Sequence, residues 1–136
     1  MRIAVPQASK LYYYDRQPAT ITRFHSQQLT GPVAVTTVWT YTVPSGRLFQ
    51  LSLAYLRQLI VAPATLVHFA NLWLYIGGQV AFTSFLIEDA TNNQTRENIP
   101  VNAIFTPGIG FSAEKEIQST ATVWQEIGII GLEFNR

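Results

Sequence analysis

The sequence predicts an all-β fold: an antiparallel β-sandwich or jelly roll of about eight strands, with an extended N-terminal arm. Three observations point to it. Apolar and polar residues alternate with a period of two along several segments, as in strands that bury one face. Turns rich in glycine and proline separate these segments every ~10–15 residues. Residues 36–43 consist almost entirely of the β-favouring types Thr, Val, Trp and Tyr.

The N-terminal third differs in character, so we divide the chain into an N-terminal arm or edge strand (1–34) and a β-sandwich domain (35–136). Residues 1–34 contain three prolines, the triplet Tyr12-Tyr13-Tyr14 and only weak alternation. In an assembly, such an arm would reach a neighbour by strand addition. The alternative is a strand that completes the chain's own sheet. The first apolar run ends at Pro6, so we expect no signal peptide.

The first strong strand, residues 36–43, places Trp39, Tyr41 and Val43 on one face. Pro44-Ser45-Gly46 then forms a turn in which proline sets φ at the first corner and glycine takes the permissive one. The segment from Arg47 to Ala62 alternates again, and its odd positions supply the apolar face: Phe49, Leu51, Leu53, Tyr55, Leu59 and Val61. A helix over residues 48–62 competes with this interpretation, because Leu51, Tyr55 and Leu59 also recur at a spacing of four.

Residues 59–77 are apolar enough to require a test for a membrane span. Pro63, His68 and Asn71 lie well inside the segment, and polar groups at the bilayer centre are costly. We therefore expect two buried strands joined by a loop, and no membrane span.

The positions of the later strands are predicted from the turns between them. Gly77-Gly78 predicts a two-residue hairpin between residues 70–76 and 79–87. A polar loop follows over residues 88–98, and a strand over 99–105 runs into the Thr106-Pro107-Gly108 turn. Shorter strands then cover 111–118, 120–130 and 131–134.

The low charge content indicates extensive contact with other protein. Only 12% of the residues are charged, against about 25% in an ordinary soluble domain, while 48% are hydrophobic. Basic side chains are scattered and the net charge is +1, which gives no electrostatic case for a nucleic-acid partner. The chain has no cysteine, so disulfides and thiolate chemistry are excluded.

We expect no enzymatic activity, no cofactor and no metal. The chain has two histidines: His68 lies among apolar residues, and His25 lies in a polar stretch as a solvated or interface side chain. Glu114 and Glu116 share one strand face around Lys115 and should point to solvent, and the other acids form no pair by spacing. The spacing expected around a serine nucleophile is also absent.

Aromatic residues supply the candidate interface. Trp73 and Tyr75 share one face of their strand, opposite Leu72 and Leu74, and either face could be the buried one. Core packing, a subunit interface and a sugar-stacking platform all remain open for these side chains. The candidate interface residues are Tyr12, Tyr13, Tyr14, Trp39, Trp73 and Tyr75.

Three short stretches carry a resemblance to a known class. They are Trp-Thr-Tyr-Thr-Val-Pro-Ser-Gly-Arg-Leu-Phe-Gln-Leu (39–51), Leu-Trp-Leu-Tyr-Ile-Gly-Gly (72–78) and Thr-Pro-Gly (106–108). Over residues 36–134 the chain resembles small jelly-roll virion proteins of tailed bacteriophages, especially capsid decoration or cement proteins.

The resemblance implies a non-enzymatic subunit located in the virion and assembled in the host cytoplasm. Such subunits, commonly homotrimers, bind the major capsid protein or other virion subunits, and an N-terminal arm often crosses to a neighbour. Deletion of residues 1–30 is then expected to leave a folded sandwich that no longer joins the assembly. The alternative is a carbohydrate-binding β-sandwich module, as in a receptor-binding, tail or spike component.

Overall fold

The computed structural model describes residues 18–62, 69–87 and 94–136, and all regular structure in these ranges is β-strand. Eight strands follow one another along the chain: β1 Ala19–Thr30, β2 Val33–Thr42, β3 Arg47–Ala62, β4 Phe69–Ile76, β5 Gln79–Ile87, β6 Gln94–Phe105, β7 Gly110–Ile117 and β8 Thr122–Asn135. The predicted fold class is thereby confirmed, and residues 48–62 form a strand.

The strands form two antiparallel four-stranded sheets. The first sheet has the order β1-β8-β3-β6 and the second β2-β7-β4-β5. Every connection crosses from one sheet to the other except the β4–β5 hairpin, which is the arrangement of a jelly roll. Because each sheet alternates its side chains between two faces, each has one face on the core and one outer face.

Residues 19–30 form β1, the edge strand of the first sheet. They pair in continuous register with β8, from Ala19 opposite Glu133 to Thr30 opposite Thr122. Ile21 packs on the core, so deletion of residues 1–30 would remove a structural strand and not a free arm. The expectation that this deletion leaves a folded sandwich stays a prediction, and the pairing of β1 with β8 argues against it. Residues 1–17 lie outside the described residues, and the domain boundary at residue 34 stays a prediction.

A β-bulge in β3 changes which side chains face the core. The register with both neighbouring strands shifts between Leu51 and Leu53. Phe49 and Leu51 are buried before the shift, whereas the even positions are buried after it: Ala54, Leu56, Gln58 and Ile60. The predicted odd-numbered apolar face is thus wrong beyond residue 51, because one extra residue reverses the alternation.

The glycine turns form where the sequence predicts them, with one correction. Gly77 and Gly78 have φ of 61° and 80°, as a type I′ hairpin requires. In the β2–β3 turn, the Arg47 amide donates to the Pro44 carbonyl at 3.1 Å, so Ser45 and Gly46 are the central residues. Pro44 therefore precedes the first corner instead of occupying it.

Two predicted boundaries are also wrong. Strand β6 begins at Gln94, so residues 94–98 belong to a strand and not to the predicted polar loop. The last segment, predicted as two strands, is one strand from Thr122 to Asn135. Both segments continue because a partner strand extends beside them, which local composition does not report.

The interior contains two apolar clusters. The larger is built around Phe49, Phe111, Leu72 and Ile127, at the end of the sandwich that carries the glycine turns. The smaller contains Ile60, Ala70, Leu86, Ile117, Ala121 and Val123. Fully buried glutamine side chains lie between the two clusters, and they form part of the site described next.

Candidate interaction surfaces and a buried polar belt

The outer face of the first sheet is apolar around a glycine. Gly128 on β8 lies between Phe24 on β1 and Tyr55 on β3 in the strand register. With no side chain between them, the two rings approach to 6.1 Å across the glycine. A Cβ at residue 128 would lie 2.5 Å from Phe24 Cδ2, so only glycine permits this contact.

Further apolar side chains continue this surface, which we call the Phe24 face: Phe24, Leu53, Tyr55, Ile130 and Leu132. Phe24 is 53% exposed, Ile130 41% and Leu132 37%. All of these except Leu132 border, together with Thr22 and Glu126, an open groove of about 260 Å³. Contiguous exposed apolar surface of this kind is typical of a protein contact.

A half-buried ion pair borders the Phe24 face. Arg57 Nη1 donates to Glu126 Oε1 at 2.9 Å, and Ser26 Oγ donates to Glu126 Oε2 at 3.3 Å. Burial alone would raise the pKa of the Glu126 carboxyl, but hydrogen bonds from Arg57, Trp124 and Ser26 outweigh it, so the pKa is lowered. Glu126 is therefore a charged boundary of an otherwise apolar surface.

Glu133 also has hydrogen-bond partners, neither of them an acid. Arg47 Nε donates to its Oε1 at 3.0 Å, and Tyr41 donates to its Oε2 at 2.7 Å. Because Tyr41 belongs to the second sheet and Glu133 to the first, this contact joins the sheets at the glycine-turn end.

The outer face of the second sheet carries the predicted aromatic pair. Trp73 and Tyr75 are half-buried on this face, while Leu72 and Leu74 are buried in the core. Glu114, the cross-strand neighbour of Trp73, lies on the same face, and its hydrogen bond to Tyr75, with smaller effects of burial and charge, raises the Tyr75 pKa. This surface, the Trp73 face, therefore combines aromatic and acidic groups.

The other predicted interface residues lie elsewhere. Trp39 is half-buried against the larger apolar cluster, and its indole Nε1 donates to the Ile127 carbonyl at 3.1 Å, across to the other sheet. Trp39 thus helps to hold the two sheets together. Tyr12, Tyr13 and Tyr14 lie outside the described residues.

A row of polar side chains crosses the core side of the first sheet. Gln27, Gln125, Gln58 and Thr95 are cross-strand neighbours on β1, β8, β3 and β6. Ser84 and Lys115 meet this row from the second sheet. We call these six residues the polar belt, and it separates the two apolar clusters.

The centre of the polar belt is a dense hydrogen-bond network. Gln58 and Gln125 are both 0% exposed. Gln58 Nε2 contacts the Ala70 carbonyl at 3.0 Å and the Ser84 carbonyl and hydroxyl at 3.1 Å each. Gln125 Nε2 donates to Gln58 Oε1 at 2.8 Å. Ser84 Oγ continues the network to Thr95 Oγ1 at 2.7 Å, so the belt ties the two sheets together through polar contacts.

Lys115 occupies one end of the polar belt. Strand β7 alternates regularly, so the outward positions of Glu114 and Glu116 turn Lys115 inward, where it is only 6% exposed. Its Nζ lies 3.0 Å from Gln27 Oε1 and 3.4 Å from His25 Nε2. Burial lowers the pKa of Lys115. Sequence reasoning placed the two glutamates and missed the lysine between them, although the same alternation locates it.

The described residues contain no arrangement suited to metal catalysis or helical membrane insertion. No group of three or more His, Cys, Asp or Glu side chains converges in residues 18–62, 69–87 and 94–136. Within the same ranges, no helix long and apolar enough to span a membrane occurs.

Comparison with known proteins gives partial likenesses in structure and none in sequence. No protein-family model matches the chain, and no curated protein matches it. Latent PorU from Porphyromonas gingivalis aligns over 87% of this chain and 13% of its own, with 10% identity and a TM-score of 0.46. The chain of the T13 particle of infectious bursal disease virus aligns over 87% and 31%, with 13% identity and a TM-score of 0.43. The VP2 subviral particle of that virus aligns over 88% and 32%, with 16% identity and a TM-score of 0.38.

The chain thus spans a third or less of each of these structures. With identities of 16% or lower and TM-scores below 0.5, these likenesses carry no argument about function.

Proposed function

We propose that this chain is a non-enzymatic virion structural protein that acts through protein–protein contacts. The observation that carries the proposal is the Phe24 face, where large apolar side chains remain more than a third exposed beside an open groove. An isolated domain with only 12% charged residues gains little solubility from such a surface. A subunit that buries the face against neighbours gains binding free energy from it.

The sequence resemblance supports a more specific role within the virion. The chain would be a capsid decoration or cement subunit, or a minor capsid subunit, of a tailed bacteriophage. Its partners would be the major capsid protein or other virion subunits, and the chain would act as a homo-oligomer such as a trimer. A subunit that binds only the assembled shell stabilises it by the binding free energy of many copies.

The self-association part is tested by light scattering over a range of protein concentrations. The wild-type chain should show a mass that is a multiple of the monomer mass, and Ile130→Lys should shift it to the monomer. Val35→Lys, at a 52% exposed position on β2, is the matched control and should leave the mass unchanged. A wild-type monomer at all concentrations, or dissociation by both variants alike, would contradict self-association through the Phe24 face.

The virion part requires purified particles. Particles isolated from the chain's natural host by density gradient should contain the chain in a fixed ratio to the major capsid protein, as measured by quantitative mass spectrometry. Recovery of the chain only in the soluble fractions would refute a structural role in the virion.

A carbohydrate-binding module is the second candidate, favoured by the Trp73 face. Half-buried Trp73 and Tyr75 share this face with Glu114, and aromatic rings beside polar groups suit sugar stacking. A glycan array should then show binding that Trp73→Ala abolishes and Trp39→Phe retains. Absence of glycan binding by the wild-type chain removes this candidate.

A further inference from the structure

Among the residues that the structure describes, the buried cation at the end of the polar belt has only neutral partners. Lys115 Nζ contacts Gln27 and His25, and the two ion pairs among the described residues, Arg47–Glu133 and Arg57–Glu126, do not include it. Fully buried lysines are almost always paired with an opposite charge. The surroundings of Lys115, as far as the structure describes them, are therefore short of one negative charge.

The site can be reached from outside. His25 and Gln27 both lie on β1, the edge strand of the first sheet. Gln27 is exposed and His25 is half-buried, while Lys115 lies beneath them on β7. Displacement of the exposed Gln27 side chain from Lys115 would therefore give an incoming group a path to the ammonium.

The donors at this site match a carboxylate. The Lys115 ammonium carries three N–H groups, the His25 ring can donate from Nε2, and the Gln27 amide can turn to present its NH₂. One formal positive charge matches one carboxylate, and charge-assisted hydrogen bonds are stronger than neutral ones. We propose that Lys115, His25 and Gln27 form a carboxylate-binding site in the seam between the two sheets. The carboxylate comes from a small molecule or from an Asp or Glu side chain of a second copy.

The chain offers a direct test because it has only two lysines, Lys10 and Lys115. The full chain is labelled with ¹³Cε-lysine, and the two signals are followed by NMR during titration with sodium acetate, with sodium chloride holding ionic strength constant. The Lys115 signal, assigned by its loss in Lys115→Met, should move and saturate. The Lys10 signal should change no more than it does in chloride alone.

Two variants sharpen this result. His25→Ala should weaken acetate binding by about tenfold, the effect of losing one hydrogen bond to a charged group. Gln118→Ala, at an exposed position on the loop before β8, is the matched control and should bind acetate as the wild type does. If Lys115→Met does not fold, Lys10→Arg assigns the signals instead.

The source of the carboxylate is distinguished by protein concentration. A Lys115 shift that appears on concentrating the protein without acetate identifies a side chain of a second copy, and one that needs acetate identifies a small carboxylate. If neither condition gives a saturable shift of Lys115, or if Lys10 and Lys115 shift equally, the proposal is overturned.

Discussion

Replacement of Gln58 by leucine tests whether the polar belt stabilises the sandwich. The change keeps the side-chain size roughly constant and removes every polar atom. Three contacts from Gln58 Nε2 are lost, to the Ala70 carbonyl and to the Ser84 carbonyl and hydroxyl. Gln125 Nε2 loses the acceptor of its shortest hydrogen bond, at 2.8 Å, and keeps its contacts with two backbone carbonyls at 3.3 Å each.

The expected cost follows from these contacts. A typical hydrogen bond contributes about 1 kcal/mol net, and a buried polar group left without its partner costs about 1–3 kcal/mol. Burial of the leucine side chain offsets part of this loss. We therefore expect Gln58→Leu to lower the free energy of unfolding by about 2–3 kcal/mol. At about 4 °C per kcal/mol for a domain of this size, Tm should fall by about 10 °C.

Equilibrium urea unfolding, followed by circular dichroism at two protein concentrations, measures this effect and detects any contribution from association. Gln28→Leu is the matched control, because Gln28 is exposed on β1; its effect should stay within about 0.5 kcal/mol. In the double variant Gln58→Leu/Gln125→Leu, removal of both partners should cost at least about 1 kcal/mol less than the sum of the single effects.

The reasoning is refuted if Gln58→Leu unfolds at the same urea concentration as the wild type, or if the effects of the two single variants simply add. An unchanged midpoint would mean that the two apolar clusters are stable without the polar contacts of Gln58. Additive effects would mean that the contact between Gln58 and Gln125 contributes no coupling free energy.

Two further predictions concern His25 and Gly128. Burial, with a smaller effect of the Lys115 charge, lowers the His25 pKa below 6.5. The unfolded chain therefore binds the proton more tightly. The contribution of His25 to the free energy of unfolding should be fully present above pH 6.5 and should decrease as the pH falls toward the folded-state pKa. His25→Gln should reduce the pH dependence of the free energy of unfolding, measured by urea unfolding between pH 5 and 8. An equal pH dependence in wild type and variant would contradict the attribution to His25. Gly128→Ala should lower stability by about 2–3 kcal/mol, since its Cβ would lie 2.8 Å from the Arg23 carbonyl oxygen as well as against Phe24. Gly110→Ala, whose nearest contact would be 3.9 Å away, should unfold like the wild type.

Local pattern predicted the strands well because each strand buries one face and each turn requires particular residues. The Gly77-Gly78 hairpin illustrates this: both residues have positive φ, which the sequence itself demands. The same reasoning failed along β3, where an added residue at the bulge moved Gln58 from the expected polar face into the core. A bulge depends on how two strands pair, and alternation in one strand does not report it.

The candidate interaction surfaces were likewise predicted only in part. Sequence alternation placed Trp73 and Tyr75 on one face, but only the sandwich decides that this face is the outer one. Trp39, another candidate, instead donates to a carbonyl of the opposite sheet. The Phe24 face depends on a contact across Gly128 between residues 24 and 55, which no local pattern connects.

By itself, the sequence determined the strand-rich, low-charge character of this protein, because alternation, turn residues and composition are local properties of the chain. Tertiary structure alone decided which polar groups became buried. Gln58, Gln125 and Lys115 come from three different strands in two sheets, and they lie in one layer only because the two sheets stack with a particular register. Burial depends on that stacking, and it is burial that turns ordinary glutamine and lysine side chains into a polar belt and a candidate carboxylate site.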